Sequence, residues 1–127
     1  MLGLALLLAA PASAAELAGS EWRPVKIGAA PWPEDSGALV RFESDGRLAG
    51  HSGCNRFMGS YVLVGDTIEI VPLAATRMMC PGPVMEHERL LFDVLESART
   101  FSRNRTELTL ADPQRNVTAS FVQTDWD

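Results

Sequence analysis

The two cysteines are the residues of this chain whose type and spacing most clearly allow chemistry. Cys54 and Cys80 are the only cysteines in the 127 residues. In a small domain that leaves the cytosol, two thiols pair as a disulfide, which is the interpretation we favour. Free buried thiols are a second interpretation. The third is a metal site completed by His51 and His87, although neither a C-x-x-C nor an H-x-x-x-H pair is present. We expect no metal and no cofactor.

Groupings that would support catalysis are hard to find in the sequence. Ser52 follows His51 directly, but neighbouring residues of a strand point to opposite faces. The sequence contains no G-x-S-x-G elbow, no H-E-x-x-H helix motif and no C-x-x-C redox pair. We therefore expect a protein that is not an enzyme.

Two segments interrupt the strand pattern and carry the remaining candidate residues, at positions 52–61 and 72–81. A disulfide would hold them side by side, with α-carbons within about 7 Å. Asn55 and Arg56 would then lie near Thr76 and Arg77.

Two hypotheses explain these residues. In the structural one, Asn55 satisfies the backbone groups of a turn and the arginines bond to carbonyls or carboxylates, while Met78 and Met79 fill gaps under a helix. In the recognition hypothesis, Arg56 and Arg77 form a cationic patch on an acidic domain. Asn55 and Thr76 would add directional hydrogen bonds to that patch.

The first 14 residues, MLGLALLLAAPASA, have the pattern of a secretory signal peptide. A short apolar run at positions 2–10 precedes Pro11 and an Ala-Ser-Ala cleavage pattern, although no Lys or Arg stands before it. The run is shorter than the roughly 20 residues that cross a bilayer. We expect cleavage before Ala15, a periplasmic or secreted product and no membrane span. A buried N-terminal helix is the alternative.

Composition excludes several classes of protein. Removing 14 residues from 127 leaves 113, which is enough for one domain. The formal net charge of −5 provides no basic face for neutralising phosphates, so we expect no nucleic-acid partner. We expect a monomer.

The hydrophobic pattern predicts an α+β domain. Apolar residues alternate in short segments separated by turn residues such as Asp45-Gly46, and Pro24 predicts a sheet edge or a bulge. A helical stripe occupies positions 83–98. Such a chain should form a curved antiparallel sheet or small barrel of seven to eight strands with one helix packed on it. The strands are expected at positions 22–27, 39–42, 47–51, 61–64, 67–71, 100–103, 107–110 and 117–122, and the tail 124–127 should lack packing partners.

Two stretches carry a resemblance to a known family. GCNRFMGSY and PLAATRMMCPGPVMEHERLLFDVL, in that order before the helix, resemble the META domain of HslJ-like heat-shock proteins. The resemblance spans positions 19–122, so we assign 15–127 to this domain. It implies a compact α+β fold, an envelope location, a part in the heat response and, for HslJ, novobiocin resistance, with no established reaction or ligand. This chain lacks the lipobox cysteine of the lipid-anchored members.

These observations predict a non-catalytic exported protein. It would support envelope stress tolerance by binding a protein or a surface component. A small-molecule or lipid carrier is one alternative, because curved barrels can hold apolar ligands. An inhibitor of an envelope-attacking enzyme is the other.

Overall fold

The computed structural model of the chain describes residues 17–125. The predicted signal peptide, the expected start near Ala15 and the last two residues lie outside this range.

The described part of the chain forms ten strands and a long helix. The helix, α1, covers Gly82–Ser97, and a single 3₁₀ turn covers Glu34–Ser36. The strands are β1 Ser20–Ile27, β2 Ala30–Pro31, β3 Leu39–Phe42, β4 Arg47–His51, β5 Arg56–Val64, β6 Thr67–Ile70, β7 Ala74–Ala75, β8 Thr100–Asn104, β9 Glu107–Ala111 and β10 Thr118–Gln123.

Eight of the strands close into an antiparallel barrel. Their order is β1-β3-β4-β5-β6-β8-β9-β10, and β10 pairs back onto β1. The two short strands are additions: β2 pairs with β1, and β7 pairs with β5. Closure gives most strands a partner on both sides. The α+β prediction, with a small barrel and a helix packed on it, is confirmed.

Local sequence explains most of the strand boundaries. Inward positions alternate with exposed ones, as at Ile68 and Ile70 on β6. The Asp45-Gly46 turn joins β3 to β4, with Gly46 at a φ of +89° that favours glycine. Pro24 marks the predicted bulge, because the register between β1 and β10 shifts between Pro24 and Lys26.

The helix packs beside the sparsest strand pairing of the barrel. β6 and β8 meet through a single residue pair, Thr67 with Thr100. α1 lies in the chain between β7 and β8 and packs on β6, β9 and β1. Its apolar stripe is buried as predicted, at Leu91, Val94 and Leu95. The interior is filled by large side chains, among them Trp22, Phe42, Leu48, Leu108 and Phe121.

Two local predictions were wrong. The segment 52–61 is not irregular throughout, because β5 begins at Arg56. The start of the tail is attached rather than loose: Thr124 N–H donates to the Glu21 carbonyl at 2.9 Å, and Glu21 N–H donates to Asp125 Oδ1 at 3.1 Å.

Candidate functional site

The disulfide joins the two candidate segments at positions 52–61 and 72–81. Cys54 and Cys80 are bonded, with their α-carbons 6.0 Å apart. Cys54 stands just before β5, and Cys80 stands two residues before α1. The bond therefore links the start of β5 to the start of α1. Neither Cys54 nor Cys80 has a free thiol that could bind a metal.

Asn55 is the centre of a buried hydrogen-bond network beside the disulfide. Its side chain is 2% exposed. Nδ2 donates to Glu88 Oε1 at 2.9 Å and to the Met78 carbonyl at 3.3 Å. Oδ1 accepts from Met78 N–H at 2.6 Å and from Thr76 Oγ1 at 2.9 Å. All the donors and acceptors of the amide are used, so Asn55 fixes the segment that precedes the helix.

Ser52 connects the same network to the helix. Its Oγ donates to Glu88 Oε1 at 2.7 Å and accepts from the backbone N–H groups of Cys54 and Asn55 at 3.1 and 3.0 Å. The Glu88 carboxylate is thus buried with two hydrogen-bond donors, which offsets part of the cost of removing it from water.

Glu88 is a site residue that the sequence analysis missed. A charged side chain on an amphipathic helix is expected on the solvent face, yet Glu88 is buried. A signal for this was available: Glu88 follows Val84 by four residues and precedes Leu91 by three, so it stands on the apolar stripe itself.

The structure brings Asn55, Arg56 and Thr76 into contact. Thr76 N–H donates to the Arg56 carbonyl at 3.0 Å, and Arg56 N–H donates to Thr76 Oγ1 at 3.1 Å. Arg77 follows directly and is exposed, as is Arg56. Asn55 faces the interior, so only Arg56, Thr76 and Arg77 are placed where a partner could touch them.

The side chains of Arg56 and Arg77 have no hydrogen bond or ion pair with any part of residues 17–125. Neither of them makes the carbonyl or carboxylate contacts of the structural hypothesis. Met78 and Met79 also depart from it: they are 59% and 87% exposed rather than packed under the helix. The Asn55 network directs this segment along the surface.

A groove crosses the outer face of the barrel beside Arg56. One row of paired residues, Arg41, Ala49, Met58 and Ala74, runs across β3, β4, β5 and β7. Ala49 and Ala74 have small side chains, whereas Met58 is 64% exposed. The two alanines therefore form the bottom of a concavity, and the Met58 side chain forms one side of it. We call this concavity, of about 480 Å³, the outer groove.

A smaller depression of about 180 Å³ adjoins the outer groove. We call it the basic depression, and its lining residues are Leu39, Arg41, Gly50, His51 and Arg56. Gly50 is required here, because a Cβ would meet the Leu39 carbonyl oxygen and would lie 2.6 Å from Cζ of Phe57.

Hydrogen bonds and ion pairs define the charge at the basic depression. Arg41 is paired with Glu21 at 3.3 Å and with Glu43 at 3.0 Å. His51 Nδ1 accepts from Gly53 N–H at 3.0 Å. The His51 proton is therefore assigned to Nε2, which makes that nitrogen a donor. Arg56 is the one arginine of the depression without a carboxylate partner among the described residues.

The charged residues at the β3–β4 turn, Asp45 and Arg47, are paired with each other. Two hydrogen bonds from Arg47, one from its backbone N–H and one from its side chain, hold the pKa of Asp45 below its usual value. Burial, followed by the negative charges of Asp45 and Glu43, raises the pKa of Tyr61. The Tyr61 hydroxyl donates to the Glu43 carbonyl at 2.7 Å.

The groups that sequence patterns marked as potentially reactive have structural partners. Ser52 is 1% exposed and bonded to Glu88, and His87 packs on Trp32 with ring centroids 4.8 Å apart rather than standing in solvent. Within residues 17–125, no three His, Cys, Asp or Glu side chains converge as a metal site. No helix in that range is long and apolar enough to cross a membrane.

Fold and site together define a small α+β barrel domain, in which a disulfide and a buried Asn55 network hold an exposed segment beside a surface groove. The META domain family model matches residues 15–126, and the chain belongs to the META domain family. No curated protein matches the sequence.

Solved structures share the fold. An NMR structure of a protein from Burkholderia xenovorans is 23% identical with a TM-score of 0.72, and covers 98% of this chain and 97% of its own. A second NMR structure is 23% identical with a TM-score of 0.71 and covers 87% and 94%. A crystal structure of a DUF4847 family protein from Bacteroides vulgatus is 15% identical with a TM-score of 0.66 and covers 87% and 96%.

Proposed function

We propose that this protein is an exported, non-catalytic binding domain that supports envelope stress tolerance by holding a protein or surface component at the Arg56–Arg77 surface. We define this surface by the exposed side chains of Arg56, Thr76 and Arg77. The observation that carries the proposal is the state of the two arginines. Both are exposed, both lack a counter-ion within the described residues, and the domain around them is acidic.

The way in which this surface is held supports recognition rather than chemistry. The disulfide and the Asn55 network fix the backbone at positions 54–56 and 76–80, so the ordering cost of the segment has been met before a partner arrives. Ser52, Asn55 and Glu88 serve this fixation and are buried, which leaves no accessible nucleophile among them.

Export is supported by two features. The leader pattern is one, and the disulfide, which is typical of oxidising compartments, is the other. The heat-shock and antibiotic-resistance associations enter this proposal only through the resemblance to HslJ-like proteins.

The carrier alternative finds less support than protein binding. Side chains such as Trp22 and Phe121 fill the barrel. The outer groove is open to solvent, whereas sites for small ligands usually enclose most of the ligand. An inhibitor function would use the same surface and is a special case of protein binding.

Capture of a partner from envelope extract tests the proposal. Three proteins would be immobilised with the disulfide intact: the wild type, an Arg56→Gln/Arg77→Gln double variant and an Arg89→Gln control. Arg89 is exposed on α1 and is not part of the Arg56–Arg77 surface. We expect a partner that wild type and Arg89→Gln retain in equal amounts and the double variant loses, with all three proteins equally stable to urea. Equal capture by all three, or no reproducible partner, would contradict the proposal.

Cell fractionation tests the location. We expect the mature protein in the periplasm or the medium, starting near Ala15 by N-terminal mass analysis. Recovery of the full-length chain in the cytosol would reject this part.

A further inference from the structure

We infer that the basic depression binds a single carboxylate presented by an apolar protein segment, whose neighbouring side chains lie in the outer groove. This inference rests on the proposed function and names the chemistry of the partner. The geometry that carries it is the junction of an unpaired arginine, a histidine N–H and an apolar groove.

The donors of the basic depression suit one carboxylate. Arg56 presents a planar guanidinium that can bond both oxygens of a carboxylate, and its charge is not neutralised by any residue in 17–125. His51 adds an Nε2–H donor, because Gly53 N–H occupies Nδ1. Arg41 also lines the depression, with Nε bonded to Glu43 and one terminal nitrogen bonded to Glu21.

The same two glutamates limit how much negative charge the depression accepts. Glu21 and Glu43 carry two negative charges against the one positive charge of Arg41, so Arg56 brings the local sum to zero and supplies the one arginine charge of the depression that no described carboxylate pairs. A run of phosphates or of acidic residues would place further negative charge against them. The depression therefore favours an isolated carboxylate over a polyanion, in agreement with a domain of net charge −5.

The outer groove identifies what should flank that carboxylate. Ala49 and Ala74 lie low in the paired row, and the exposed Met58 side chain stands beside them. A thioether with three rotatable bonds adapts to varied apolar side chains. The groove of about 480 Å³ lies open on the surface, which suits a protein segment better than an enclosed small molecule.

Two unlabelled peptides provide the probe. One has eight residues, a glutamate at the centre among leucine, serine and glycine, and the other has glutamine in place of the glutamate. Both are acetylated at the N-terminus and amidated at the C-terminus, so the glutamate side chain is the one carboxylate that distinguishes them. Calorimetric titration into the oxidised full-length mature protein should show tighter binding of the glutamate peptide, by about five- to tenfold, the difference expected for a charge-assisted hydrogen bond at an exposed site.

Variants assign the effect to residues. Arg56→Gln should remove the preference for glutamate, while Arg89→Gln keeps it, because Arg89 does not line the basic depression. Met58→Ser should weaken both peptides about equally. Val64→Ser, at an equally exposed position of the same strand outside the groove, should weaken neither.

Several results would overturn the inference. No peptide binding up to about 1 mM, equal binding of the two peptides, or a glutamate preference that survives Arg56→Gln would each do so. Phosphatidylglycerol vesicles or inorganic phosphate that displace the glutamate peptide would identify a lipid head group or free anion instead.

The peptide test and the partner capture fail separately. If the Arg56→Gln/Arg77→Gln variant loses the captured partner but the two peptides bind alike, the proposed function stands and the carboxylate chemistry is wrong. If the glutamate preference depends on Arg56 but no envelope partner is captured, the site exists and the proposed function is wrong.

Discussion

Replacement of Asn55 by alanine should strongly destabilise the protein, because its side chain makes more hydrogen bonds than any other in the segments 52–56 and 76–80. The side chain makes five hydrogen bonds, one of them to the buried Glu88 carboxylate and a weak one to Cys54 Sγ at 3.5 Å. A hydrogen bond to a charged group contributes about 1.5–3 kcal/mol, and each neutral one contributes about 1 kcal/mol. Because water and relaxation compensate part of the loss, we expect a cost of about 3 kcal/mol in the free energy of unfolding.

Urea unfolding, followed by tryptophan fluorescence with the disulfide intact, measures this cost. With an m value of about 1.5 kcal/mol/M, the midpoint should fall by about 2 M. Asn116→Ala is the matched control, because Asn116 is exposed and makes no side-chain hydrogen bond within the described residues. Its stability should change by less than about 0.5 kcal/mol. A loss below about 1 kcal/mol for Asn55→Ala, or equal losses for the two variants, would refute the assigned role of the network.

Three further predictions follow from the fold. Replacing both Cys54 and Cys80 by serine should lower the stability to urea by about 3.5 kcal/mol, the chain-entropy value for a separation of 26 residues, and an unchanged midpoint would contradict this. Gly50→Ala should lower the free energy of unfolding by more than about 2 kcal/mol, because its Cβ would lie 2.6 Å from a ring carbon of Phe57. Gly82→Ala, which has open space around it, should leave the stability almost unchanged. Similar thermal unfolding of the two variants would contradict this prediction. Tyr61 is the only tyrosine, so tyrosinate absorbance at 295 nm reports its ionisation alone. The midpoint of this titration should lie above about 10 in the folded protein and near 10 in denaturant, so the stability should decrease as the pH rises above 10. Equal midpoints in the two states would exclude a buried phenol.

The barrel was predictable because local signals and tertiary packing agree. Alternating apolar residues and two-residue turns such as Asp45-Gly46 set most of the strand limits. The missed start of β5 has a physical reason at Gly59. Phe57, Tyr61 and Leu63 are buried at alternate positions, but Gly59 interrupts the apolar series, since a Cβ there would come within 2.9 Å of Leu73. Only the folded chain shows that a distant leucine fills this place.

The candidate site was predictable in part. The predicted disulfide places Asn55, Arg56 and Thr76 together, and the contacts among them follow from that bond. The inward direction of Asn55 and the outward direction of Arg56 could not be predicted, because they depend on the partners that Glu88 and Thr76 offer. The basic depression could not be predicted from the sequence either, because its residues come from three strands and no short motif specifies the register of those strands.

The central claim is that a partner contacts the barrel at the outer groove beside Arg56. The most direct test is to incorporate a photo-crosslinking amino acid in living cells, at position 58 in one strain and at position 64 in another. Met58 and Val64 are both exposed on β5, but of the two only Met58 lines the outer groove. We predict an adduct of higher mass from position 58 that disappears when Arg56 is replaced by glutamine, and none from position 64. An adduct from position 64 alone, one from position 58 that persists without Arg56, or none from either position would contradict the claim.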